Sequence, residues 1–389
     1  MGDQAAQYAL LVIAATPFVY YAIALFSSWR FFLSSDSDIS KRNQFTPPVS
    51  ILKPVRGLDH EAYENFASFC RLDYPEYEIL FCVGDRTDPV VPVIEKLTAD
   101  FPACNIRLLY GSGRDATNDK VAKLARLVQE ARYDVLVIND SDVRAERGYL
   151  RKVVAPLADK GVGAVTCFYV PMEETSAVQK LQSVGMLSDF YPGILVAWQL
   201  DGVKFALGPT IATTRARIAA FGGFEAIENR PGDDLLVGRL IADQGYEVKL
   251  LHYSVQTVAD YQSMRDLVAK RLRWMVVMRH MRPWGHIGLI FTFGLPWCVV
   301  AMLAAPAALA GFGYTAAYFV FRLGMTWLIG SWGLRQRFHL RYFVLIPLWD
   351  ALAAAIWLTS FTRNTIRWRD HDYYIRKGEL VPVTSAAAK

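Results

Sequence analysis

Cysteine and histidine are scarce in this sequence, which has five cysteines and six histidines among 389 residues. No two cysteines form a CxxC motif and no histidine stands close to one, so neither a zinc site nor a disulfide framework is indicated. A reducing, cytoplasmic environment fits the soluble part of such a chain. The cysteines are Cys70, Cys82, Cys104, Cys167 and Cys298.

Net charge is also small. The formal charge is only +5, which is too little to indicate a nucleic-acid partner, although the Lys and Arg residues are clustered. Hydrophobic residues, by contrast, make up 53% of the chain, and the mean hydropathy of +0.19 is high for a soluble enzyme. The composition therefore indicates a membrane protein.

The first long hydrophobic run extends from Tyr8 to Leu33 and has no charged residue before Arg30. It is long enough to cross a hydrocarbon core of about 30 Å. A cleaved signal peptide is the alternative, because the Ala-Ile-Ala at 22–24 resembles a cleavage site, but no Lys or Arg precedes the run. Positive charge follows at Arg30, Lys41 and Arg42, so the next domain is expected in the cytoplasm and the N-terminus outside.

Between Pro47 and about Pro283 the chain alternates between short β-rich runs and helical stretches. Such runs are typical of strands buried on both faces of a mostly parallel sheet. From Asn118 to Arg132 apolar residues recur at i, i+3, i+4 and i+7, as in an amphipathic crossover helix. The alternation predicts an α/β, Rossmann-like domain of the nucleotide-binding type. The predicted strands are Val49 to Val55, Tyr77 to Gly84, Ile106 to Gly111, Tyr133 to Asp140 and Val162 to Val170.

Two aspartates, Asp140 and Asp142, follow the fourth predicted strand. In such sheets ligands lie outside the carboxyl ends of the strands, and residues i and i+2 of an extended chain point to the same side. Two carboxylates there would hold Mg²⁺ or Mn²⁺ and leave positions for water and substrate phosphates. An ordinary turn is the alternative, because Asn-Asp-Ser-Asp is a common turn sequence.

Three further motifs carry candidate site residues. Asp85 ends the second strand, where it either accepts hydrogen bonds from a base or ribose or forms an Asp-Pro turn. Asp233 and Asp234 begin a predicted helix; one carboxylate suffices as a cap, which leaves the other as a general base. The KRLRW stretch, Lys270 to Trp274, offers counterions to a leaving pyrophosphate, although a helix that binds lipid headgroups would look the same.

In this order, Asp85, the DSD at 140–142, the DD at 233–234 and KRLRW resemble the D, D, D, (Q/R)xxRW signature of the ceramide glucosyltransferase family. This is glycosyltransferase family 21 of the GT-A group, with bacterial relatives that include hopanoid-associated glycosyltransferases. The segments ILKPVRGLD, NDKVAKL, FALGPT and TIRWRDHDYYI extend the resemblance over nearly the whole chain. Two positions depart from the family: Lys270 occupies the Gln/Arg position, and Asp233 replaces the more usual Glu. Lysine keeps the charge but lacks the bidentate fork of arginine.

The resemblance implies a GT-A catalytic domain between membrane helices and an inverting transfer from a UDP-sugar to a lipid hydroxyl. Asp85 would lie near the nucleotide, Asp140 and Asp142 at a Mg²⁺ or Mn²⁺ ion and the diphosphate, and Asp234 would be the general base. The other positions that the resemblance implies for donor binding are Lys53, Pro54, Lys120, Asp233, Arg271, Arg273 and Trp274.

Nothing in the sequence recognises the sugar at its C2 position. Glucose transfer to ceramide is the preferred expectation, and transfer of GlcNAc to a hopanoid polyol is the alternative. Two alternatives come from other classes of protein. One is a processive polysaccharide synthase, which usually has more membrane spans to form a channel. The other is a non-catalytic membrane scaffold, which would have no need of four acidic motifs in catalytic order.

Three more apolar runs follow Arg282, and Pro296 and Pro306 are expected to kink the first of them. Arg322 and Asp350 interrupt the other two and are expected to face protein rather than lipid. Three full spans would leave the C-terminal tail outside, whereas its basic residues favour the inside, so one run is expected to be re-entrant or interfacial. The runs are Ile287 to Gly311, Tyr314 to Gly333 and Tyr342 to Phe361.

The sequence thus predicts an integral membrane protein, of a bacterial inner membrane, with a cytoplasmic catalytic domain and a lipid acceptor. The predicted units are an N-terminal helix (1–40), the catalytic domain (41–284), C-terminal membrane or interfacial helices (285–362) and a basic tail (363–389). Lys270, Arg273 and Trp274, at i, i+3 and i+4, share one helical face. Because Trp and basic residues are favoured at the bilayer surface, the acceptor is expected to enter laterally from the cytoplasmic leaflet, between the domain and the helices after Arg282.

Overall fold

The β-rich runs of the first two thirds of the chain form one eight-stranded sheet. The computed structural model describes residues 2–34, 44–258, 263–305, 308–336, 340–368 and 371–383. The strands of the sheet are β1 (Val49–Pro54), β2 (Tyr77–Val83), β3 (Ile106–Tyr110), β4 (Val135–Ile138), β5 (Val143–Arg144), β6 (Val162–Pro171), β7 (Ile211–Thr214) and β8 (Glu247–Thr257).

The strand order is β3-β2-β1-β4-β7-β6-β8-β5. Only β7 and β5 run antiparallel to their neighbours among the described pairings, so the predicted, mostly parallel sheet is confirmed. All five predicted strands are present. β3 lies at the sheet edge and its residues are only half-buried, so the expectation that every strand is buried on both faces is wrong for β3.

Helices cover both faces of the sheet. The predicted helix at 118–132 is confirmed: Asn118 caps it by accepting a hydrogen bond from the Val121 amide at 3.3 Å. The helices are α1 (Gly2–Ala14), α2 (Thr16–Leu33), α3 (Ala62–Cys70), α4 (Val91–Asp100), α5 (Asp119–Glu130), α6 (Tyr149–Val154), α7 (Ala177–Gly185), α8 (Tyr191–Asp201), α9 (Arg215–Ala220), α10 (Asp233–Asp243), α11 (Met264–Met281), α12 (Pro283–Gly288), α13 (Gly294–Ala304), α14 (Ala308–Trp327) and α15 (Leu345–Ser360).

Alternate residues of the central strands enter two separate cores, as the two-residue period of a strand requires. Ile51 belongs to the core on one face, and Leu52 to the core on the other. The second core continues into the N-terminal helix, where Phe31 of α2 packs edge-on against Phe168 of β6 with ring centroids 5.8 Å apart. The C-terminal end of α2 therefore packs against the eight-stranded sheet.

Two helices among the described residues are long and apolar enough to cross a membrane, Gln4–Leu33 and Tyr342–Ser360. A third qualifies if Pro283–Thr292 and Gly294–Ala304, which meet at an angle of 52°, count as one span. The expected kink at Pro296 is confirmed: the bend lies at Phe293, because Pro296 cannot donate to the carbonyl of Thr292, four residues before it, and instead lies in the first turn of α13. Pro306 lies outside the described residues.

α14 and the π-helical turn after it, Leu328–Gly333, occupy the second predicted run. Arg322 of α14 is buried and pairs with Asp350 of α15, with Nε 3.0 Å from Oδ2. Tyr318 donates to the same carboxylate at 2.6 Å, and Arg322 also donates to the Ser188 carbonyl. The expectation that both charges face protein is confirmed. Arg322 and Asp350 are called the membrane ion pair below.

The segment predicted as a basic tail contains a folded, three-stranded antiparallel sheet, β9 (Thr365–Trp368), β10 (His371–Arg376) and β11 (Glu379–Pro382). It packs on α11 through a small core that includes Val276 and Ile375. The Leu380 amide donates to the Asn229 carbonyl, in the loop before α10, at 2.7 Å. The C-terminal sheet and the catalytic domain are therefore in direct contact.

Candidate active site

Four aspartates from two distant motifs converge beyond the end of β4. Asp140 and Asp142 belong to the loop between β4 and β5, and Asp233 and Asp234 form the first turn of α10. Lys120, in the first turn of α5, joins them: its Nζ lies 2.8 Å from Oδ1 of Asp140 and 2.9 Å from Oδ2 of Asp233. These four aspartates with Lys120 are called the acidic cluster.

Negative charge exceeds positive charge in the acidic cluster. Burial opposes the charge of Lys120, but the carboxylates of Asp140, Asp233 and Asp234 outweigh it and raise the pKa of the ammonium. Burial and the neighbouring Asp140 raise the pKa of Asp142 to about 7. The pKa of Asp140 itself is lowered, against its burial, by Lys120, Lys270 and Lys53. A proton or a further cation would relieve this imbalance.

Asp234 has the environment of a general base. Burial and the adjacent Asp233 raise its pKa to about 6. Its Oδ2 accepts a hydrogen bond from the Gly208 amide at 3.1 Å, and its Oδ1 accepts one from Leu235 at 2.8 Å. The N-cap position of α10 is occupied by Gly232. Neither aspartate therefore caps the helix with its side chain, the role that the sequence allows for one of them.

Gly208 of the FALGPT segment separates two carboxylates of the acidic cluster. A Cβ atom at this position would lie 3.1 Å from Oδ2 of Asp140 and 3.2 Å from Oδ2 of Asp234. Both distances are shorter than an ordinary van der Waals contact, so a side chain here would press both carboxylates back by a few tenths of an ångström. Asp140 and Asp234, assigned to the donor and to the base, thus face the same backbone position.

Lys53 holds the loop of Asp140 by a hydrogen bond from the end of β1. It is fully buried, donates to the Asp140 carbonyl at 3.2 Å and lies 3.6 Å from the centroid of the Phe69 ring. Burial lowers the pKa of this ammonium to about 7. The described contacts of Lys53 are thus with the fold; direct contact of Lys53 and of the buried Pro54 with a donor stays a prediction.

Asp85 lies on the exposed rim beyond β2. It accepts hydrogen bonds from the Thr87 amide at 2.7 Å and the Thr87 hydroxyl at 2.5 Å, which lower its pKa. Asp88 ties this turn to the loop after β1 by accepting from the Gly57 amide at 3.0 Å. The turn geometry of the alternative interpretation is present, and the nucleotide contact of Asp85 stays a prediction.

The KRLRW residues lie on α11. Lys270 faces the acidic cluster, whereas Arg271 contacts neighbouring helices. The charge of Lys270 lowers the pKa of Asp140 and Asp142, so its ammonium faces the acidic cluster. Lys270 also lies 6.0 Å from the Trp274 ring, which places cation and aromatic ring on one helical face as predicted. Arg273 is half-buried, and its contact with a diphosphate stays a prediction.

Arg271 contacts the helices rather than the carboxylates in the part of the chain that is described. It is buried, donates to Gln182 of α7 at 3.1 Å, and lies between the rings of Trp274 and Trp349 at 4.8 and 4.7 Å. The buried guanidinium therefore joins α7, α11 and α15. A donor contact of Arg271 has no support from these neighbours and stays a prediction.

Two polar residues near the site escaped the sequence-based assignment. Asp59 accepts a hydrogen bond from Ser141, between the two metal-binding candidates, and its charge raises the pKa of Asp142. Asn139 donates to the Pro209 carbonyl at 2.8 Å and so joins the end of β4 to the loop of Gly208. Both stand inside quoted motifs, but only the fold brings the segments together.

Known proteins resemble this chain over most of its length. The model of glycosyl transferase family 21 matches residues 9–381. Ceramide glucosyltransferase 3 of Caenorhabditis elegans is 23% identical over 369 residues, which are 88% of this chain and 76% of that protein. The ceramide glucosyltransferase of Komagataella phaffii is 31% identical over 157 residues, 38% of this chain and 31% of that protein.

A solved structure has a similar fold. The mannosyltransferase PcManGT from Pyrobaculum calidifontis, in complex with GDP-Man and Mn²⁺, has a TM-score of 0.55 and 18% identity, over 90% of this chain and 99% of that chain. This likeness concerns the fold and confirms the predicted GT-A class.

Proposed function

Because this chain belongs to glycosyl transferase family 21 and is a membrane-associated glycosyltransferase, we propose that it transfers glucose from UDP-glucose to a hydroxyl of ceramide. The observation that carries this proposal is the approach of Asp140 and Asp234 to Gly208 from two sides. One motif that the resemblance assigns to the donor and one that it assigns to the base thus border the same space. The relatives named as ceramide glucosyltransferases support the choice of substrates.

The acidic cluster has the donor set for Mg²⁺ or Mn²⁺. Asp140 and Asp142 are two hard oxygen donors, and burial together with the charge of Asp140 raises the pKa of Asp142, so a cation bound here would favour its charged form. Among the described residues no group of three or more His, Cys, Asp or Glu forms a complete cage. Asp140 and Asp142 would hold the ion from one side, with diphosphate oxygens and water on the other. When bound, the ion neutralises charge on the leaving diphosphate.

The residues of this chain supply the remaining chemistry. An acceptor hydroxyl is a weak acid, so Asp234 takes its proton as the oxygen attacks the anomeric carbon. The bond from this carbon to the diphosphate oxygen breaks in the same step, and UDP leaves. A single displacement of this kind inverts the anomeric configuration. Lys270 faces Asp140 and Asp142, the carboxylates that would hold the ion, so its ammonium would stabilise the negative charge of a diphosphate bound to that ion.

We place α15 at the membrane surface rather than across the bilayer. Tyr342, just before it, lies 5.9 Å from Lys180 of the catalytic domain. Ser360, at its end, contacts His286 at 3.0 Å, and Asn364 accepts from Arg279 of α11 at 2.7 Å. The segments before and after α15 thus contact α7 and α11 of the catalytic domain, which favours a position along the membrane surface, although the length and apolarity of the helix would also suit a span.

We propose as crossings the N-terminal helix, the bent pair Pro283–Thr292 and Gly294–Ala304 counted as one span, and α14, whose 20 residues could reach across a hydrocarbon core of about 30 Å. The Tyr314 hydroxyl, near the start of α14, donates to the Leu11 carbonyl at 2.6 Å. Beyond the end of α14, the Gly333 carbonyl accepts a hydrogen bond from Nε2 of His252, on β8 of the catalytic domain, at 3.0 Å. The start and end of α14 thus lie at opposite ends of the N-terminal helix. This topology places the catalytic domain and the C-terminal sheet together in the cytoplasm.

Thiol labelling tests this topology. The new thiol of Gly313→Cys should react only with reagent on the side of the membrane opposite the cytoplasm. The new thiol of Glu379→Cys should react only with reagent on the cytoplasmic side. Both positions are exposed. Labelling of both cysteines from one side would contradict it.

The activity is tested by UDP release from purified protein against a panel of UDP-sugars and lipids, with mass spectrometry of the product. UDP-glucose with ceramide should give glucosylceramide and one UDP per product. A product carrying GlcNAc on a hopanoid polyol, or a chain of several sugars, would replace the proposed reaction with one of the alternatives.

A further inference from the structure

A cavity of about 240 Å³ lies between the end of β6, the helix α7 with its π-helical turn, and the segment before α15. It borders the catalytic domain on one side and the C-terminal helices on the other. Its wall is mixed, with polar side chains such as Ser183 and Gln336 beside apolar ones. The lining residues that matter here are Val170, Met172, Ser183, Met186, Leu187 and Tyr342.

Ser183 is an unpartnered polar group in this wall. It is 4% exposed, and its hydroxyl has no hydrogen-bond partner among the described residues. A buried helical serine commonly bonds the carbonyl four residues back, as Ser27 and Ser28 do at 2.7 and 2.6 Å. An unsatisfied buried hydroxyl destabilises the fold, so a polar group that enters the cavity and bonds to Ser183 would be bound favourably.

Two chains of contacts connect the cavity wall to the acidic cluster. Sδ of Met186 accepts from the guanidinium of Arg271, and the residue before it, Lys270, faces the carboxylates. The Met172 amide donates to the Thr257 carbonyl, and Thr257 pairs with Val143, the residue after Asp142. The wall of the cavity is therefore connected to the acidic cluster through α11 and through the pairing of β8 with β5.

We propose that this cavity binds the polar head of the lipid acceptor, with Ser183 as its hydrogen-bonding partner. This inference rests on the proposed function. Pockets that enclose a whole drug-sized ligand have volumes of about 300–1,000 Å³. Because this cavity is smaller, it would take only the head of the lipid and the first carbons of its chains. The acyl chains leave past Tyr342, along the apolar surface of α15, to the bilayer. A lipid head with an amide or a second hydroxyl beside the reacting one satisfies Ser183.

The test uses the full chain with UDP-glucose and a short-chain fluorescent ceramide. Ser183→Leu fills the cavity and should raise the KM for ceramide at least tenfold, while UDP-glucose hydrolysis by water and the KM for UDP-glucose stay unchanged. Ser183→Ala removes one hydrogen bond and should lower kcat/KM for ceramide about 2- to 10-fold. Ser28→Ala, an equally buried helical serine whose hydroxyl is satisfied, is the matched control and should leave the ceramide parameters unchanged.

Direct binding separates this inference from the proposed function. If the wild-type protein binds the fluorescent ceramide but transfers no glucose to it, the proposed function fails and the cavity is still tested by probe binding to Ser183→Leu. Equal binding by the wild type and by Ser183→Leu, or an unchanged KM in both Ser183 variants, would overturn the assignment of the cavity.

Discussion

The acidic cluster and the membrane ion pair both place a cation among carboxylates inside the fold, but in opposite proportions. Lys120 has two carboxylates within 2.9 Å and more beyond them. Arg322 has one carboxylate partner, and its remaining donors bond to the π-helical turn of the catalytic domain. One region is unbalanced in charge and the other is balanced.

This difference in charge balance separates a region suited to bind ligands from a region that stabilises the fold. Burial and the neighbouring carboxylates raise the pKa of Asp142 and Asp234, which prepares the acidic cluster to take up a cation and a proton. The membrane ion pair uses its donors within the fold, so it fixes the helices against the catalytic domain and has no capacity left for a ligand. The following changes should alter activity in the first region and stability in the second.

The largest effect on activity should come from Asp234→Asn. The amide keeps the size of the side chain but cannot accept the proton, so kcat for transfer should fall by about 10²–10⁴-fold, the usual contribution of a general base. Binding of the UDP-sugar, measured by calorimetry, should be largely retained because no phosphate contact is removed. Turnover comparable to the wild type would show that another group is the base.

The membrane ion pair should respond in stability instead. Arg322→Met leaves the buried Asp350 without its counter-charge and should lower the free energy of unfolding by about 3–5 kcal/mol. Thermal unfolding in detergent measures this change, and the double variant with Asp350→Leu should recover part of it. The control is Arg71→Met, because the exposed Arg71–Glu64 pair at 3.3 Å should contribute no more than about 1 kcal/mol. Equal losses in both single variants would contradict the assigned role.

The sequence predicted the two regions to different depths. The carboxylates after the fourth strand were predictable because parallel strands end at one edge, and the ordered motifs identified Asp233 and Asp234. The position of Lys120 between Asp140 and Asp233 was not, because α5 and α10 are more than a hundred residues apart and only the fold sets their distance. Arg322 and Asp350 were expected to face protein, since charge in lipid is costly.

The partners of the membrane ion pair and the exposure of β3 lay beyond sequence reasoning. Ser188 carries no signal of its own, and its π-helical turn depends on packing between distant helices. The break at Phe293, by contrast, was predictable from Pro296, because proline cannot donate to the carbonyl four residues before it. The half-exposed β3 was misjudged because its apolar run does not reveal that it is an edge strand.

Metal removal should affect only the acidic cluster. EDTA should lower transfer by about 10²-fold or more, since metal stabilisation of a leaving group amounts to several kcal/mol, and Mg²⁺ or Mn²⁺ should restore it. Asp142→Asn should weaken this restoration, whereas Arg322→Met should not change the metal concentration that half-restores activity. Full activity in metal-free buffer would remove the ion from the mechanism.

The pH dependence should report the raised pKa of Asp234. A base must be deprotonated, so kcat/KM should be full above the pKa of about 6 and fall about tenfold per pH unit below it. The metal-loaded enzyme is measured with a saturating lipid acceptor. An acid limb near the ordinary aspartate pKa of about 3.9 would show that burial and Asp233 do not act on the base as the structure indicates.

The smallest effect is expected at Trp274, which lies between the two regions. Its ring packs 5.7 Å from Phe190, two residues after Ser188 in the π-helical turn, and Lys270 lies 6.0 Å from it on the side of the acidic cluster. If the acceptor enters laterally beside this ring, Trp274→Ala should lower kcat/KM for a long-chain lipid by about 2- to 10-fold, the range for loss of one aromatic contact. UDP-sugar hydrolysis by water needs no acceptor and should fall less. Trp274→Phe, which keeps a ring against Phe190, should recover most of the lipid-dependent rate. Equal losses of transfer and hydrolysis would assign Trp274 to the donor or to the fold, and lateral entry would lose its main support.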